Sequence, residues 1–102
     1  MPAAARAQNT DTITTGHPCD ATAKIAGTQQ SSVFINNKIG SVKGDAIAPH
    51  TRLVGNSCVD HGAAVNAGSD SVFFEGIAAA RVGDSADGGV IISGSGNVFI
   101  GD

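Results

Sequence analysis

The sequence predicts an all-β fold: a small conical β-prism with pseudo-threefold symmetry, built from three short β repeats. Three observations carry this expectation. A phrase is written three times, as Ser32-Val33-Phe34-Ile35, Ser71-Val72-Phe73-Phe74 and Asn97-Val98-Phe99-Ile100. Internal repetition in so short a chain constrains architecture more than any single residue does. The composition is strand-like, with 14 Gly, no Trp or Tyr, four Phe, and an apolar content of mostly Ala, Val and Ile. β-Branched residues beside many glycines favour short strands and tight turns, and the same residues weaken helix interiors. Finally, the two ends are complementary. Ala3-Ala4-Ala5-Arg6-Ala7 matches Ala78-Ala79-Ala80-Arg81-Val82, whereas the third repeat stops at Gly101-Asp102 without that strand.

The elements follow in order. The segment at 3–7 is a third strand without its first two. Ile25-Ala26-Gly27, Val65-Asn66-Ala67-Gly68 and Ile91-Ile92-Ser93-Gly94 each put a strand-like pair and a Gly upstream of the repeated phrase. Asn36-Asn37 and Glu75-Gly76 follow it as two-residue hairpin turns, because Asn and Gly tolerate positive φ. The third strands are Lys38–Val42 and Ile77–Val82, whose small residues let strands crowd an axis. Each ends in Gly-Asp, at Gly44-Asp45 and Gly83-Asp84. Joining head and tail would complete three units around a closed ring and remove the free sheet edge. The competing architecture is a solenoid of stacked rungs. It needs connections of similar length, yet 46–63 is long and 85–89 is short.

Length 102 allows one domain, 1–102, with a modest core. The net charge of −3, with six Lys plus Arg, argues against a nucleic-acid partner and a polybasic membrane surface. No apolar run is long enough to span a membrane, so stable membrane insertion is not expected. The N-terminus lacks the apolar stretch of a secretory signal, so synthesis in the cytoplasm is expected.

All three His and both Cys fall outside the expected strands. His17 and Cys19 lie in one connection; His50, Cys58 and His61 lie in the next. Imidazole and thiolate are the ligands of structural zinc, which takes four in a tetrahedron. Cys58-x-x-His61 has a common bite spacing, and His17 and His50 could supply the rest. A metal would also tie loops that a thin core cannot hold. The alternatives are solvated loop residues, or a Cys19–Cys58 disulfide beside three unrelated histidines. In a protein made in the cytoplasm, thiol or metal ligand is the first expectation for the cysteines. A Cys with His and Asp60 could form a nucleophile and base, but no substrate pocket is expected of so thin a core. Asp20, Asp45, Asp60, Asp84 and Asp87 read as turn formers. No Gly-rich phosphate loop is present.

The run Gly68 to Asp84, with Ala79-Ala80-Arg81-Val82-Gly83-Asp84 at its end, resembles the repeat of the PAAR family, named for Pro-Ala-Ala-Arg. Asn36-Asn37-Lys38, Gly44-Asp45 and the closing Gly94–Gly101 are similar too. Ile39 and Ala78 stand where the motif has Pro, and Val42 where it has Arg. The family often carries His or Cys before the Gly-Gly of its last unit; here Ser85-Ala86-Asp87-Gly88-Gly89 offers neither, so the first two loops are expected to hold the metal. The resemblance implies a non-enzymatic tip on the spike of a contractile injection device, a type VI secretion system or a phage tail. It implies a zinc near the apex bound by three His and one Cys. The three are His17, His50 and His61; the fourth is Cys58, favoured by its distance to His61, or Cys19. The implied partner is a trimeric spike, VgrG-like or a phage central spike, with one tip per trimer. Cargo effectors would be bound rather than fused, since the chain stops at Asp102. The rival readings are a small zinc hydrolase and a metal-free β adaptor.

Overall fold

The computed structural model describes residues 1–101, so Asp102, which ends the third Gly-Asp phrase, lies outside the described residues. The fold is all-β, with no helix among those residues. Ten short strands form five antiparallel hairpins. β1 (Thr12–Thr14) pairs with β2 (Thr22–Lys24), and β3 (Phe34–Ile35) with β4 (Lys38–Ile39). The long hairpin is β5 (Ala46–Val54) with β6 (Ser57–Ala64). β7 (Phe73–Phe74) pairs with β8 (Ile77–Ala78), and β9 (Ser85–Ala86) with β10 (Gly89–Val90). The body measures 41 × 23 × 21 Å.

The repeated phrase makes β3 and β7, and the turns after it behave as their residues demand. Asn36 and Asn37 have φ of 54° and 65°, and Glu75 and Gly76 have 54° and 80°. Positive φ at both central positions matches the right-handed twist of the flanking strands. Ahead of each phrase one side chain caps the chain. Ser69 Oγ accepts from the N–H of Ser71 and Val72, Ser95 Oγ from Asn97 and Val98, and Gln30 Oε1 from Ser32 and Val33.

The head closes on the tail. Ala4 N–H donates to Val98 at 2.9 Å, as Gly40 does to Val33 and Ala79 to Val72 at the same distance. Three segments, linked by isolated bridges rather than continuous ladders, then bond in a cycle. Ala5 donates to Ala80, Ala80 to Ser41 and Ser41 back to Ala5, each at 3.0 Å. Two residues on, Ala7 donates to Ile39, Lys43 to Ala78 and Val82 to Ala3. Ala5, Ser41 and Ala80 are fully buried, and their small side chains suit a point where three backbones meet. Gly68 is needed for the same reason: a Cβ there would lie 2.9 Å from Ala78 Cβ and 3.0 Å from its carbonyl.

The Gly-Asp ends of the repeats work as staples. Arg81 donates from its backbone N, Nε and Nη2 to the Asp84 carboxylate at 2.8–3.0 Å. Arg6 grips Asp11 in the same way. Where Val42 replaces Arg, Asp45 accepts from Ser41 Oγ and the Val42 N–H instead. The core around these staples is narrow. Ile13, Ile25, Ile91, Val42 and Val65 are its largest fully buried apolar side chains.

The segment 46–63, expected as a loop, is instead the longest hairpin of the protein. Its turn is Gly55-Asn56, with Gly55 at φ 61°, between the paired Val54 and Ser57. The segment 85–89 is likewise a hairpin, turning at Asp87-Gly88.

Candidate metal centre

Two histidines are placed by the long hairpin. His50 on β5 stands directly opposite His61 on β6, just past an irregularity between Ile47 and His50. Direct partners across an antiparallel ladder project to the same face, so the pairing alone brings these rings together. His17 comes from the turn between β1 and β2, where its N–H donates to Thr15 Oγ1, whose hydroxyl donates to the Asp20 carbonyl. Asp87 comes from the β9–β10 turn, at φ 53°. These last two turns lie flat against each other. Gly88 N–H donates to the Thr15 carbonyl at 3.0 Å, and a Cβ at Gly16 would sit 2.6 Å from the Gly88 oxygen.

The four side chains converge on one point. His50 Nε2 is 2.6 Å from Asp87 Oδ2, and His61 Nε2 is 3.0 Å from Oδ1. His17 Nε2 lies 3.1 Å from Oδ1 and 3.0 Å from Oδ2. Ring centroids are 4.8–5.7 Å apart. Burial is graded: His50 is 3% exposed at the side chain, Asp87 7%, His17 18% and His61 22%. Burial pushes the Asp87 carboxyl up, but the hydrogen bonds from His61, His50 and His17 together outweigh it and hold the carboxyl below its ordinary range.

This donor set fits a metal ion. Three imidazole Nε2 atoms and a carboxylate, all within 4.8 Å of one another, could hold one. Both donor types are zinc ligands. His50 also has the outer partner that such sites use: its Nδ1 is 2.9 Å from the Ala48 carbonyl. A proton on Nδ1 given to that carbonyl leaves Nε2 bare toward the centre.

The structure brings together His17, His50 and His61, but neither cysteine. Cys19 and Cys58 are joined in a disulfide with Cα atoms 6.0 Å apart, so the expected thiolate ligand, Cys58 or Cys19, is corrected. The reason is geometric. Cys58 and His61 are offset by three positions, and on a strand an odd offset sends side chains to opposite faces. The bite spacing that suits a turn therefore fails on β6. Asp60 pairs opposite Thr51 and is outside the cluster. The fourth donor, Asp87, was read from the sequence only as a turn former. The available signal was its position directly before Gly88-Gly89, where the resemblance expected a ligand. The cluster thus draws on the β9–β10 turn as well as on the first two loops of the expectation.

The PAAR motif family model matches residues 54–102, taking in Cys58, His61 and Asp87. No curated protein gives a significant match. The matched stretch carries β6 of the long hairpin, the Arg81–Asp84 staple and Asp87, and its repeat recurs at 32–45; the chain belongs to the PAAR-repeat family.

Proposed function

We propose that this protein is the structural tip of a contractile injection spike. It would cap a trimeric β-helical spike, VgrG-like or a phage central spike, at one copy per trimer, and sharpen it for penetration of a target envelope. The observation that carries the reading is the family match, because PAAR proteins are a spike-tip family. The closed backbone cycle of Ala5, Ser41 and Ala80 supports it further. A single chain with pseudo-threefold symmetry can sit on a true threefold trimer with three like contacts. Phe34, Phe73 and Phe99 hold the same place in the three phrases and are 60%, 54% and 51% exposed, one apolar contact per repeat.

A structural zinc would be held by His17, His50, His61 and Asp87. Bound there, the ion would supply bonds between two turns and the β5–β6 hairpin. The residues themselves do the positioning: the ladder sets His50 against His61, and the stacked Gly16 and Gly88 turns bring His17 to Asp87. A zinc hydrolase would need an open ligand position, and four protein donors converge here.

Co-purification with a trimeric spike tests the main reading, with one copy per trimer expected. A chain that stays free when mixed with its spike would defeat it. Metal analysis of the purified protein tests the centre, with one zinc per chain expected.

A further inference from the structure

The metal donors come from three separate stretches of chain, and a disulfide joins two of them. Cys19 is two residues from His17, in the β1–β2 turn. Cys58 lies on β6, on the hairpin that carries His50 and His61. Near the disulfide the same two stretches are also clasped where the Asp20 carboxylate accepts from the Thr51 N–H and Oγ1, both at 2.7 Å, and further off β2 leads into an Ile25–Ile47 bridge to β5. The outer part of the hairpin, from Arg52 to Asp60, is exposed throughout. Cys58 is among these exposed residues, within reach of a reductant from solvent. His17 and His61 are the two most exposed of the four donors, and they are the donors nearest in sequence to the two cysteines.

We propose that the Cys19–Cys58 disulfide is a redox-sensitive lock on the metal centre. Oxidised, it holds the His17 turn against the hairpin that presents His50 and His61. Reduced, it leaves that turn to the Asp20–Thr51 clasp and the Gly16–Gly88 contact, and the metal leaves faster. The chemistry is thiol–disulfide exchange with a dithiol. One reductant thiolate attacks Cys58 Sγ, the S–S bond breaks, and Cys19 departs as a thiolate that takes a proton. The second reductant thiol then attacks the mixed disulfide and releases Cys58 as a thiol. The dithiol loses two electrons and becomes a disulfide, while the protein gains two electrons and two protons.

The inference rests on the reading that the four-donor cluster binds a metal. Oxidised protein is loaded with Co²⁺, its content measured, and transfer of the ion to a chelator timed with and without a phosphine reductant. The phosphine takes the oxygen of a water as it reduces the disulfide to two thiols. Release is expected to quicken by roughly 10–100-fold on reduction, the scale set by loss of groups that orient ligands. Cys19→Ser should release at the reduced rate without reductant. His17→Ala should release fast in both redox states, since the lock acts through His17. Far-ultraviolet circular dichroism reports that the fold persists. Equal rates in the oxidised and reduced protein overturn the lock and leave the metal reading standing. A thiolate-to-cobalt absorption band on reduction also overturns it, since sulfur would then be a ligand. No cobalt in the oxidised protein overturns both readings.

Discussion

His50 and His61 are direct partners across the β5–β6 ladder, with ring centroids 5.2 Å apart and both Nε2 atoms on the Asp87 carboxylate. The carboxylate is therefore the hub of the cluster, although it arrives from a different hairpin. Replacing it removes the only anionic donor of the cluster among the described residues. Asp87→Ala should weaken zinc binding at least ~10-fold, about 1.4 kcal/mol, by calorimetric titration. Asp87→Cys keeps an anionic donor and should recover most of that loss. Unchanged affinity in Asp87→Ala would remove the residue from the site.

Much of the fold was legible because local chemistry and global fold agree there. Asn36-Asn37 and Glu75-Gly76 have few uses other than tight turns between apolar pairs, and the orphan segment at 3–7 matches the strand that the third repeat lacks. The hairpin at 46–64 was hidden by its own polarity, since β6 has no buried residue and is exposed without a break from Ser57 to Asp60. The histidines were legible as a group because they avoid the repeats. Asp87 was not, because an Asp before Gly reads as a turn former, and only the stacking of two turns carries it to His17. The cysteines were misassigned for want of one fact, that β6 is a strand and alternates.

Acid should undo the same hub in metal-free protein. The Asp87 carboxyl is held below its ordinary range in the folded state. A group depressed on folding contributes stability above its unfolded pKa and loses it as pH falls through the folded value. The contribution of Asp87 should therefore be whole at neutral pH and fade below the ordinary carboxylate range. Thermal melts of wild type and Asp87→Asn along an acid series, both freed of metal, measure it. The gap between them should narrow as pH falls; a constant gap would show that the charge is not what matters. Asp20, lowered by its hydrogen bonds from Thr51, titrates alike in both proteins and cancels.

The two ligand-bearing turns meet backbone to backbone. Gly16 has φ 78°, and an added Cβ would meet the Gly88 oxygen at 2.6 Å and its carbonyl carbon at 2.9 Å. Both atoms are backbone, so neither can swing away. Gly16→Ala should cost about 1–3 kcal/mol from the left-handed φ alone, read by urea denaturation, and should also loosen zinc. By contrast, Gly62, with open space where its Cβ would go, should accept Ala with far less loss.

Arg81 and Val42 occupy equivalent positions in two repeats, and the difference predicts which staple is fragile. Asp84 has three donors from Arg81, two of them on the guanidinium, and its side chain is 8% exposed. Arg81→Ala strips the charged donors from a buried carboxylate, which costs about 3–5 kcal/mol when the partner is left behind. Asp45 never had an Arg and relies on Ser41 Oγ, the Val42 N–H and the Gln29 N–H. Ser41→Ala removes one neutral donor and should cost about 1–3 kcal/mol. Denaturation midpoints of the two variants should fall in that order.

The exposed phenylalanines give the sharpest test of threefold docking. Phe34, Phe73 and Phe99 are more than half exposed, so replacing any of them by Ala should change folding stability by only about 0.5 kcal/mol. Buried against a spike, an aromatic anchor is worth about 2 kcal/mol or more. Each single variant should therefore weaken capture by the trimer roughly 30-fold, and the triple variant should abolish it. Because the three positions are equivalent within the repeat, the three losses should match within a factor of a few. One large loss beside two negligible ones would mean that the partner meets a single face, and the threefold mode of docking would fail even if the complex formed.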